Sequence, residues 1–132
     1  LRAKIVAGLS ETGHSVSDVG NNGTDPVDYP DIAAKVARQV GSGAADRGIL
    51  ICGSGIGMAI AANKINGVRA AHCYNKNSGE MSRKHNDANV VCLSDATISH
   101  EDNLEILRTF LSTDFEGGRH ARRVEKIAKL EN

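Results

Sequence analysis

The stretch "GILICGSGIGMAIAANK", Gly48 to Lys64, sets a thiol between a short apolar run and a turn containing Gly53, Gly55 and Gly57. "GILIC" has the length and composition of a buried strand, and "GIGMAIAANK" those of a small-residue helix. In an open parallel sheet, ligands bind where such a strand hands over to its helix. Glycines there permit positive φ and close approach of a ligand to the backbone. The helix adds unpaired N–H groups and the positive end of its dipole, which favour an anion or an oxygen acquiring charge. Taken alone, the motif leaves two roles open for Cys52. It is either a small buried hydrophobe or a thiol activated at a helix N-terminus to serve as base or nucleophile. A nucleotide-binding module is disfavoured. The spacing is GxGxG, not GxGxxG, and no acidic residue ends the next strand to take a ribose hydroxyl.

Two other groups of residues could do chemistry. "MSRKHNDANVV" puts His85 and Asn86 at the end of a helix, just before a strand. A histidine there is either a dipole partner or an acid–base group. "FEGGRHARRVEKIAKL" places Gly117 and Gly118 before a helix on which Arg119 and Arg123 share a face, with Val124, Ile127 and Ala128 as the opposite, packing stripe. Such an arginine pair is either a solvated basic face or a phosphate clamp built from charge-assisted hydrogen bonds.

The elements that must position these groups follow from periodicity and punctuation. Helical spacing runs from Leu1 to Leu9 and stops at Gly13; "HSVSDVG" alternates as a strand; "NNGTDPVDYP" is a loop. Pro30 opens the helix "DIAAKVARQV", which ends at Gly41 and Gly43. Further strands are expected at "RGILIC", "VRAAHCY" and "NVVCL", and further helices at "GIGMAIAANK", "GEMSRKHN", "EDNLEILRTFL" and from about Arg119. Strands alternating with helices indicate an α/β fold, a parallel sheet covered on both faces. Such domains normally begin with a strand, whereas this sequence begins inside a helix. A strand and its following loop are therefore expected upstream of Leu1.

Composition narrows the function. At 132 residues the chain makes one domain, residues 1–132. Lys plus Arg and Asp plus Glu both number 16, so no basic footprint for nucleic acid or an anionic membrane exists. No apolar run approaches a membrane span. The three cysteines, Cys52, Cys73 and Cys92, lack CxxC spacing and lie in or beside strands, as reduced thiols of a cytoplasmic protein do, with no disulfide frame or zinc site.

In combination these motifs resemble the type B ribose-5-phosphate isomerases and the related galactose-6-phosphate isomerase subunits. The resemblance is carried by "DYP" at Asp28–Pro30, "GILICGSGIGMAIAANKINGVRAA" at Gly48–Ala71, "SRKHNDANV" at Ser82–Val90 and "EGGRHARRV" at Glu116–Val124. It covers nearly the whole chain in order. It implies a Rossmann-like α/β/α sandwich, a homodimer or dimer of dimers with shared active sites, a phosphorylated sugar as substrate, and neither cofactor nor metal. Cys52 matches the base that moves a proton between C1 and C2 of the open-chain sugar. Gly53, Ser54, Gly55, Ile56 and Gly57 match the loop that stabilises the enediolate, so Ser54 joins Cys52 and His85 as a catalytic candidate. His85 matches the group that assists ring opening from the neighbouring subunit. Asn86 and Tyr29 match substrate-contacting positions, and Arg119 and Arg123 match phosphate-binding ones. Two departures stand out: the family's Asp-His pair at the end of its first strand has no counterpart before Leu1, and Ala96 stands where the family usually has arginine. A six-carbon substrate, or a non-catalytic sugar-phosphate-binding role, are the alternatives these departures raise.

Overall fold

The computed structural model describes residues 1–20 and 27–132. Three strands, β1 (Gly48–Cys52), β2 (Ala70–His72) and β3 (Val90–Ser94), form a parallel sheet in the order β1-β3-β2. The register sets Leu50 and His72 on either side of Cys92, and Cys52 beside Ser94. Because side chains alternate along a strand, the sheet has two apolar faces. Leu50, Val90 and Cys92 pack with Ala33, Ala37, Met58 and Ala62, from α2 (Tyr29–Gly41) and α3 (Ile56–Ala62). Val91 and Leu93 pack on the other side with Ile5 of α1 (Arg2–Glu11) and Ile106, Leu107 and Phe110 of α5 (His100–Ser112). The result is the expected Rossmann-like α/β/α sandwich. No described helix is long and apolar enough to cross a membrane.

The helices mostly follow their sequence signals. Pro30 sits in the first turn of α2, where its missing N–H has no intrahelical partner anyway. Ser99 caps α5 by accepting from the Asp102 N–H at 3.1 Å. One helix is longer than its pattern: α4 (Lys76–Asn86) begins several residues before "GEMSRKHN". Its start is an Asn–Ser capping box, in which Asn75 Oδ1 accepts from Ser78 N–H at 2.7 Å and Ser78 Oγ accepts from Asn75 N–H at 3.1 Å.

Two expectations need correction. "HSVSDVG" (14–20) forms no strand, although its valines are half-buried. A strand requires a ladder partner, and the described residues supply none: β1 pairs only with β3. Between this segment and β1 runs a groove of about 1240 Å³, lined by Val16 and Val19 on one side and Ile49 and Ile51 on the other. The segment is tied instead to α1 by an ion pair, Arg2 to Asp18, at 3.0 Å. The second correction concerns α6 (Arg119–Ala128). Its apolar stripe is only partly packed: Val124 is half-buried, Ile127 is 44 % exposed, Ala128 is exposed, and the helix's buried residue is His120. The loop expected at 21–30 lies outside the described residues for 21–26; its remainder leads into α2.

Candidate active site

Cys52 ends β1 as a half-buried free thiol, and its Sγ accepts a hydrogen bond from the Gly55 N–H at 3.1 Å. The turn that brings Gly55 there demands glycine twice. Its φ is +79°, and a Cβ would lie 2.7 Å from Cδ2 of His72. Gly55→Ala is accordingly expected to cost more than about 1 kcal/mol. An unchanged melting temperature would contradict that. The Ser54 hydroxyl accepts from the Ile56 N–H at 3.2 Å, which shapes the start of α3. The first intrahelical bond there is Ala59 N–H to Gly55 O, so the amides of Ile56, Gly57 and Met58 precede the ladder. Tyr29 leans over the same turn: a Cβ on Gly57 would meet its ring and hydroxyl at 2.6–2.9 Å.

The turn is pinned from the end of β3, by residues that, Ala96 apart, sequence patterns did not single out. Asp95 and Ala96 donate their N–H groups to the carbonyls of Cys52 and Gly53 at 3.1 and 3.2 Å. The fully buried Ser94 hydroxyl also donates to Gly53 O at 2.5 Å, with Thr97 Oγ1 beside it. Asn103 Nδ2, equally buried, donates to Ser94 O at 2.7 Å. The Ala96 methyl stands 4.0 Å from where a Cβ on Gly53 would lie. Only the sheet register could have located this network, since its members lie some forty residues from Cys52 in sequence.

The other two cysteines are core residues. Burial pushes the Cys92 thiol up to about 12, with the neighbouring cysteines adding to the effect. Burial also raises Cys73, against hydrogen bonds from Ser82 and Ser78. Iodoacetamide on the native protein at neutral pH is therefore expected to alkylate Cys52 first. Peptide mass mapping checks this, and prior modification of Cys73 or Cys92 would contradict it.

His85, Asn86, Arg119 and Arg123 gather elsewhere. His85 lies in the last turn of α4, stacked on His120 with ring centroids 4.2 Å apart and planes 12° from parallel. The Glu116 N–H donates to Lys84 O at 3.1 Å, which holds the start of α6 against the end of α4. Arg119 and Arg123 are exposed and act electrostatically on His120. Burial first, then His85 and Arg119, hold His120 below the ordinary histidine value. The α4 end is fixed by Arg83, which is 3 % exposed and donates to Asp87 Oδ1 at 2.8 Å, Ala88 O at 2.6 Å and Thr113 O at 3.1 Å. Asp87 itself takes φ +46° at the helix C-cap and also pairs with Arg69 at 3.5 Å. Asn86 faces a cleft of about 580 Å³ shared with Arg69, Lys64 and Ile127.

The sheet separates these two groups within the chain. Cys52 lies beside Ser94, at the carboxyl edge, whereas α4 ends just before Val90, at the amino edge. The five residues of β3 alone put roughly 13 Å between the two edges. The fold thus assembles Tyr29, Cys52 and the 53–57 turn at one edge, and His85, Asn86, Arg119 and Arg123 at the other. It does not bring the two sets together in one chain.

Comparison with known proteins identifies the family. The model of the Ribose/Galactose Isomerase family matches residues 1–127. The chain belongs to that family. It is 44 % identical over 131 residues to ribose-5-phosphate isomerase B of Escherichia coli, covering 99 % of this chain and 88 % of that protein. The structure of Clostridium thermocellum ribose-5-phosphate isomerase B superposes with a TM-score of 0.95 at 47 % identity, covering 98 % of this chain and 87 % of that one. The Mycoplasma genitalium ribose-5-phosphate isomerase B, solved with bound ribulose-5-phosphate, gives 0.92 at 42 % identity over 96 % of this chain and 86 % of that one.

Proposed function

We propose that this protein interconverts ribose 5-phosphate and ribulose 5-phosphate through an enediolate, in sites shared between two copies of the chain. The observation that carries the reading is the Cys52 thiol at a strand end, 3.1 Å from the Gly55 amide. Cys52 takes the C2 proton of the open-chain aldose; negative charge then develops on O1, and the amides of the 53–57 turn stabilise it. A proton passes from O2 to O1, and the thiol returns its proton at C1 to give the ketose. Ser54 holds the turn in shape for that step, and Gly53, Gly55, Ile56 and Gly57 supply its backbone. Tyr29, over Gly57, contacts the sugar from the same edge.

Ring opening, sugar contact and phosphate binding fall to His85, Asn86, Arg119 and Arg123 of a second copy. Two facts support a partner. The candidate residues sit at opposite edges of one sheet, and the apolar surface beside Cys52 is uncovered: Ile56 and Ile60, one turn apart on α3, are 53 % and 61 % exposed. The free thiols suit the reducing cytoplasm, where we place the protein. The reaction requires no cofactor. The phosphate supplies binding energy remote from the reacting carbons, which holds the sugar in place for proton transfer.

Turnover of ribose 5-phosphate, measured beside six-carbon sugar phosphates such as allose 6-phosphate, tests the substrate. The small Ala96 near Gly53 favours the six-carbon reading as the second one, because it opens space beside the turn. A higher kcat/KM for the six-carbon sugar would establish it; absence of turnover with either would leave a sugar-phosphate-binding protein. Arg123→Ala is expected to raise KM for the phosphorylated substrate by a factor corresponding to about 1.5–3 kcal/mol, the worth of a hydrogen bond to a charged group. An unchanged KM would remove Arg123 from the phosphate site.

A further inference from the structure

We propose that His85, Glu116 and His120 form a binding site for a borderline divalent cation of the zinc class, and that its occupancy inhibits the enzyme by capturing His85. The inhibition rests on the ring-opening role given to His85 above; the metal site itself does not. One donor atom from each of the three side chains lies within 4.8 Å of the other two, and His120 Nε2 is 3.8 Å from Glu116 Oε2. Two imidazoles and a carboxylate are a donor set that zinc takes up readily, with bonds of about 2.0–2.2 Å. Donors on a tetrahedral ion stand roughly 3.4 Å apart, so the cluster needs to contract by about 1 Å.

The parts that must move are the free ones. Glu116 has a side chain 49 % exposed, and the half-buried His85 can turn off its stack on His120 by rotation about its side-chain torsions. The backbone need not move, because the Glu116 N–H is already bonded to Lys84 O. The carbonyl end of α4, whose last turn holds His85, favours a cation. Arg119 and Arg123 oppose a cation nearby, which confines the site to ions that gain strong bonds to nitrogen and excludes magnesium or calcium.

The test is calorimetric titration of the metal-free protein with zinc chloride and, separately, magnesium chloride, with isomerase assays in parallel. One zinc per chain is expected, with no magnesium uptake. Glu116→Gln and His120→Asn should each weaken zinc binding at least about tenfold, the least that loss of a direct ligand costs. Zinc should inhibit turnover, a chelator should restore it, and Glu116→Gln should keep basal activity while resisting zinc. Zinc affinity unchanged in both variants would overturn the site, as would a cobalt-loaded protein whose spectrum shows thiolate charge transfer, which places the ion on cysteine. Zinc bound at the triad without inhibition would overturn the capture of His85. No turnover in the metal-free protein would overturn the isomerase reading and the inhibition with it, while calorimetry would still decide the metal site.

Discussion

Cys52→Ala is expected to lower isomerase turnover by roughly 10²–10⁴-fold, the usual worth of a positioned acid–base group, with substrate binding nearly unchanged. The division between rate and binding follows from place. The sulfur meets the Gly55 amide at the carboxyl edge of the sheet, whereas the arginines assigned to the phosphate lie at the other edge. Removing Sγ also leaves the Gly55 N–H without its acceptor, at a cost of about 1 kcal/mol that a melting curve would register separately. Cys52→Ser keeps an acceptor near that amide but replaces the thiol by a hydroxyl, a far weaker acid that does not hold the charged form a base needs. It should be nearly as inactive as the alanine variant while melting closer to the unmodified protein. Exchange of the C2 hydrogen with deuterated water is the direct readout, because it reports proton abstraction without requiring net turnover. Exchange at the unmodified rate in Cys52→Ala would take the thiol out of the reaction.

What made Cys52 legible in the sequence is that its whole apparatus is local. Strand, glycine turn and helix follow one another within seventeen residues, and each carries its own signature in residue type. His85 and the arginine pair were legible for the same reason, as a helix end and a helix face. The parts that pin them were not, since they come from distant chain. Ser94 reaches Gly53 only through the pairing of β3 with β1, and His120 meets His85 only because α6 docks beside α4. A serine in a strand and a histidine after two glycines carry no sign of such partners. The alternating pattern at 14–20 misled for the converse reason: alternation reports which side chains turn inward, while a strand also needs a neighbour to bond with. On α6 the amphipathic spacing correctly marked a helix. What covers its apolar stripe lies beyond what periodicity encodes, and Ile127 stands exposed.

Mixing chains should reveal the division of labour more sharply than any single variant. If each site takes Cys52 from one copy and His85 from another, a heterodimer of Cys52→Ala with His85→Ala holds one intact site and one that lacks both groups. Random pairing of equal amounts makes about half the dimers mixed, so about a quarter of the full activity should return from two inactive preparations. The geometry adds a second condition. Arg123 lies on the same helix as His120, which stacks on His85, so Arg123 and His85 belong to the same half of a shared site. Arg123→Ala mixed with Cys52→Ala should therefore regain activity at low substrate concentration. Arg123→Ala mixed with His85→Ala should not, because every pairing leaves each site short of one group from that half. Two complementation groups, Cys52 alone against His85 with Arg123, are thus expected. Native mass spectrometry establishes that mixed dimers have formed. If they form and Cys52→Ala with His85→Ala stays inactive, or if His85→Ala and Arg123→Ala rescue one another, the assignment of the two sheet edges to two different copies is wrong.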